Sequence, residues 1–149
     1  MVCPLRKRMG FDPRNLALSA CAGLVVMLVL SWIWHVLVMD DYFRSEFGGV
    51  MRADYDYLFI VLGYVVLALL MAYIYPLGYQ SGPPEREGLR FGVLIGLLWV
   101  LPASLVGLGG LNLSLNGIMV DAVWHLLEQG AGGVAIASAY QRLGEQDAG

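Results

Sequence analysis

Four long runs of apolar residues, each near the length of a membrane crossing, constrain this chain more than anything else in it. They cover about 16–39, 57–75, 89–108 and 117–140. A bilayer core about 30 Å thick takes about 20 apolar residues in helical form. Helix is the expected conformation, because a lone strand leaves its backbone unpaired in lipid, and these runs lack the alternation of barrel strands. Composition agrees: 58% of the 149 residues are hydrophobic and only 14% charged, against about 25% charged in a soluble domain. The predicted fold is one all-α domain over residues 1–149, an antiparallel bundle of four transmembrane helices. The lipid bilayer is the first partner. A net charge of −3 excludes the basic face that nucleic acid requires.

Arginine and lysine orient the bundle. Arg6, Lys7, Arg8 and Arg14, then Arg86 and Arg90, then Arg142 fall on one side. Only Arg44 and Arg52 fall on the other. Seven against two places both termini in the cytoplasm. At the start, Leu18-Ser19-Ala20-Cys21 has the look of a lipoprotein cleavage box. The apolar run follows the cysteine rather than preceding it, so the expectation is an uncleaved signal anchor. Cys3 and Cys21 form no disulfide framework. The loop from Asp40 to Asp56 is acidic and aromatic, and is expected to lie on the membrane surface. The loop Pro76 to Gly88, with Gly78, Gly82, Pro83 and Pro84, reads as a break between two hairpins.

Helices in lipid pack through small residues. Gly92 and Gly96 make a GxxxG step on the third span. On the fourth, Ala131, Ala135 and Ala139 form one ridge and Gly133 with Ala137 another. The expectation is packing within the chain. Pro102 removes a helix hydrogen bond to Leu98.

The residues out of place are polar ones. Asp121, His125 and Glu128 recur at i, i+4, i+7 on one face of the fourth span. His35 closes the first span, with Ser31 one turn deeper. At about 1.5 Å per residue, His125 falls about 12 Å from the outer end and His35 about 6 Å. Tyr64 and Ser104 bring polar groups from the other two spans to the same half. Intramembrane ionisable groups turn inward and pair, and three readings compete. The cluster can fix helix register. It can bind a metal through His35, Asp121, His125 and Glu128, or place His35 and His125 as axial ligands of a haem or a chlorophyll-type pigment. It can relay protons inward, although no ionisable residue continues the path. Neither HExxH, CxxC nor a serine–histidine signature points to an enzyme. Trp32 and Trp34 suit the interface, Trp99 and Trp124 the core.

Several stretches resemble a family of small four-helix bacterial inner-membrane proteins known as a domain of unknown function. They are Trp32-Ile33-Trp34-His35, Ala68-Leu69-Leu70-Met71-Ala72-Tyr73, the glycine-rich Gly88 to Gly96, and Asp121-Ala122-Val123-Trp124-His125-Leu126. The resemblance implies a multi-pass protein of the bacterial inner membrane and no particular activity. The functional expectation is a non-enzymatic oligomeric or accessory subunit, alone or in a larger membrane complex. The alternative is a metal, haem or proton site opening to the periplasm.

Overall fold

A computed structural model describes residues 12–80 and 82–146. Cys3 and the basic triplet Arg6, Lys7 and Arg8 lie outside the described residues. The described residues form helices joined by short connections, without strands. Helix α1 spans Pro13–Trp32 and runs on as a π-helical segment, Ile33–Val38. A short α2 covers Asp40–Phe47. The long helices α3 (Tyr57–Gly78), α4 (Pro84–Gly110) and α5 (Leu115–Gln146) follow. Among the described residues three stretches are long and apolar enough to cross a membrane: Pro13–Val38, Tyr57–Gly78 and Pro84–Gly110. This is the architecture of a multi-pass membrane protein. Helix α5 has the length at 32 residues but is the most polar of the long helices. Asp121, His125, Glu128 and Gln129 lie along its middle.

Local chemistry sets the helix ends. Asp12 caps α1 by accepting from the Arg14 N–H at 2.9 Å, with Pro13 in the first turn. Pro84 likewise starts α4. The prolines expected to break the chain after Pro76 therefore belong partly to helices: α3 continues through Pro76 to Gly78 and α4 begins at Pro84. Ser114 caps α5, accepting from the Gly117 N–H and donating to Glu46 of α2.

The halves of the bundle pack differently. Toward its Gly88 end, α5 is clasped between α4 and α1. A Cβ on Gly88 would meet Gly133 O at 2.5 Å, and one on Gly96 would meet His125 O at 2.9 Å. Gly92 lies between them against the Gln129 and Gly130 backbone. The ridge is thus a two-step GxxxGxxxG, and it is spent inside the chain. On the other flank, Gly23 and Gly132 receive Ile136 and Met27, both fully buried. Tyr75 stacks on Tyr140 at 5.9 Å and meets Phe91 edge-on at 5.4 Å, closing this end. The Tyr140 hydroxyl donates to Ala72 O at 2.8 Å. The Ala131, Ala135 and Ala139 ridge is only half-buried.

Candidate functional site

The polar residues predicted to converge do so at the opposite end, through three helices. The π segment prepares the place. A π turn holds one residue more than α periodicity allows and turns the following side chains by about 100°. Its wide bond runs from the Met39 N–H to Trp34 O at 2.8 Å. Trp34 and His35, both in this segment, face α5. Trp34 stacks on Trp124 with centroids 4.3 Å apart and planes within 7°. His35 stacks on Phe43 of α2 at 5.2 Å, so the surface loop is partly a helix that roofs the site.

Asp121 bridges the two histidines. His35 Nε2 lies 3.1 Å from one carboxylate oxygen and His125 Nε2 3.4 Å from the other. The imidazole centroids are 6.2 Å apart. The Tyr64 hydroxyl donates to Ser31 Oγ at 2.8 Å. Ser31 Oγ lies 3.2 Å from His35 Nδ1, which is also 3.1 Å from Ser31's own carbonyl oxygen. These distances suit both charge states of His35: neutral, it accepts the serine proton at Nδ1; cationic, it donates Nδ1–H to the carbonyl. Either way Nε2–H donates to Asp121.

The network continues inward along α5. Glu128 and Gln129 are both 0% exposed. Glu128 accepts from Trp124 Nε1 at 3.1 Å and from Gln129 Nε2 at 3.3 Å. Gln129 Nε2 also lies 3.5 Å from His125 Nδ1. Eight side chains thus form one path: Tyr64, Ser31, His35, Asp121, His125, Gln129, Glu128 and Trp124. Ser104, expected to join from the third span, is half-buried and makes no hydrogen bond to this path. Gln129 carries no formal charge, so a pattern of ionisable residues does not single it out. Its adjacency to Glu128 was the available signal.

Above this path lies a cleft of about 820 Å³. Its floor is Ser31, His35, Tyr64, Asp121, His125 and Gln129. Its walls are apolar and aromatic, among them Phe43, Phe59, Ile60, Trp99 and Leu113. The cleft exists because the first two turns of α3 have no helix beside them. Tyr57 through Leu62 are all exposed, Phe59 to 69%. Gly63 borders the cleft, and a Cβ there would meet nothing within 4 Å.

The donor set can be read chemically. Both Nε2 atoms, the ones a metal would take, are directed at Asp121. Among the described residues no three His, Cys, Asp or Glu side chains are arranged to hold an ion. A metal or haem at His35 and His125 therefore requires the imidazoles to leave Asp121. Ser31, His35 and Asp121 also stand in the order of a nucleophile, base and acid. However, the backbone N–H groups around Ser31 are spent within the helix, so no oxyanion donor pair stands beside it.

At the roof, Asp40 accepts from the Tyr55 hydroxyl at 2.5 Å and from Arg44 Nε at 2.8 Å. The Tyr55 bond first, and then Arg44, hold the Asp40 carboxyl below its ordinary value. No protein-family model, curated protein or solved structure matches the chain.

Proposed function

We propose that this chain is a non-enzymatic, four-span protein of the bacterial inner membrane, with both ends cytoplasmic, that holds a small lipid-soluble molecule on its periplasmic side. It would serve as an accessory or binding subunit. The observation that carries this reading is the cleft. Its volume of about 820 Å³ falls in the range of small-molecule sites, about 300–1,000 Å³, and it pairs apolar walls with a few convergent polar groups.

The fourth crossing is supported by the placement of α5. Its 32 residues extend about 48 Å, enough to span. Its polar side chains turn toward α1 and α3, where intramembrane polar groups belong. Arg14, Arg86, Arg90 and Arg142 gather at the Gly88 end, and Arg44 and Arg52 at the cleft end, which supports a cytoplasmic Gly88 end.

Native mass spectrometry of protein released gently from membranes tests the reading. A bound small molecule is expected on the wild type and not on Gly63→Phe, whose ring would fill the cleft. Equal retention by both, or a molecule on neither, contradicts it. A second reading keeps His35 and His125 as ligands, favoured by two imidazoles from separate helices 6.2 Å apart. A Soret band or stoichiometric metal in the purified protein would select it.

A further inference from the structure

The floor of the cleft contains one atom whose hydrogen bonding is incomplete. Gln129 Oε1 is fully buried and has no hydrogen-bond partner. The amide cannot simply be turned round. Its nitrogen faces Glu128 Oε1 at 3.3 Å and His125 Nδ1 at 3.5 Å. Turning it would set the amide oxygen against Glu128 Oε1 and remove one of the carboxylate's donors, leaving that of Trp124. The network therefore holds a bare acceptor on a residue that borders a largely apolar cleft. An unpaired buried acceptor costs about 1–3 kcal/mol, which a donor reaching it from the cleft would recover.

The surroundings narrow the class of that group. Two carboxylates already lie nearby, Asp121 and Glu128, so an anionic head is disfavoured. Every other polar atom on the floor has a partner, so a head that only accepts hydrogen bonds gains nothing there. The lining also offers rings: Tyr64 from α3, Trp99 from α4, and His125, which lies beside Gln129 itself. Trp99 meets His125 edge-on at 6.4 Å. Flat rings accept another ring at low entropic cost. Outward from the floor the lining becomes Ile60, Phe59 and Tyr57 along the exposed turns of α3, a path suited to an alkyl tail.

From these features we infer that the cleft takes an uncharged hydroxylated aromatic head on an apolar tail, of the phenol or quinol class, whose hydroxyl donates to Gln129 Oε1. This rests on the binding function proposed above and adds the chemistry of the head. Binding is non-covalent, and no electron or proton transfer is part of the inference.

The probe is 4-nonylphenol, compared with 4-nonylanisole, its methyl ether, which keeps ring and tail but has no donor. Each is titrated into the full-length protein in nanodiscs, with the tryptophan fluorescence of Trp99 and its neighbours as the readout. The phenol is expected to bind saturably and at least about fivefold more tightly than the ether, the lower end of what satisfying one buried acceptor yields. The preference is expected to fall to about twofold or less in Gln129→Met, which keeps the volume and removes the acceptor. If phenol and ether bind equally to the wild type, the donor inference is overturned while the binding function stands. If neither binds saturably, both fall. The wild-type comparison decides the matter even where Gln129→Met does not fold.

Discussion

At the Gly88 end of the bundle α4 meets α5 backbone to backbone and α1 packs on α5 through glycine notches, whereas at the His35 end these helices are held apart by rings and hydrogen bonds. The difference follows the glycines. Gly88, Gly92, Gly96, Gly130 and Gly133 bring α4 onto α5, and Gly23 with Gly132 admit Ile136 and Met27 between α1 and α5. Past Gly96 the face of α4 presents Trp99, and α3 has no glycine-lined partner at all. Without a hydrophobic drive in lipid, close approach needs small residues. Where they stop, the helices separate, and the space must be filled by polar cross-links or by a ligand. One end is thus built for stability and the other for occupancy.

Substitutions should separate the two ends. The largest effect is expected at Gly92→Leu, where any side chain would run into the Gln129 and Gly130 backbone. A loss of at least about 3 kcal/mol is expected, measured by thermal unfolding in detergent, and a variant that melts like the wild type would break the comparison. Next comes Asp121→Leu, which strips both imidazoles of their acceptor. The expected cost is about 1–3 kcal/mol, with Asp121→Asn keeping more than half of the stability. An equal loss in both would mean that charge, not hydrogen bonding, matters there. Gly63→Phe is expected to change stability by less than about 1 kcal/mol, since its Cβ enters open space and glycine is a poor helix former.

The smallest effect lies on the roof. Tyr55 and Arg44 hold Asp40 below its ordinary carboxylate value, so the contribution of this contact is full above that ordinary value and is lost as pH falls through the lowered one. Tyr55→Phe should move the Asp40 titration, followed by carbon NMR of its carboxyl, upward toward the ordinary value. An unmoved titration would assign the shift to Arg44 alone.

Much of this was legible beforehand, for identifiable reasons. The long apolar runs carry the helices, because bilayer thickness fixes their length. The face of Asp121, His125 and Glu128 follows from helical period alone, and His35 and Tyr64 from depth. The use of Gly92 and Gly96 inside the chain follows from the small-residue rule. What periodicity could not give was the π segment at Ile33–Val38, which no residue in it announces and which turns Trp34 and His35 onto α5. The α2 helix was hidden by its short length. Helix ends shifted because Pro76 and Pro84 lie within helices. Depth alone brings Ser104 to the level of the site, and depth says nothing of the face on which a residue lies. Gln129 completes the site with no formal charge to draw attention to it.

The open end is tested most directly by the reactivity of a single thiol. With Cys3 and Cys21 replaced by serine, a Gly63→Cys protein in nanodiscs is exposed to N-ethylmaleimide with and without 4-nonylphenol. Rapid labelling that saturating nonylphenol slows at least about fivefold is the expected result. A thiol that reacts equally fast with the phenol present, or does not react at all, would contradict an accessible, ligand-filled cleft beside α3.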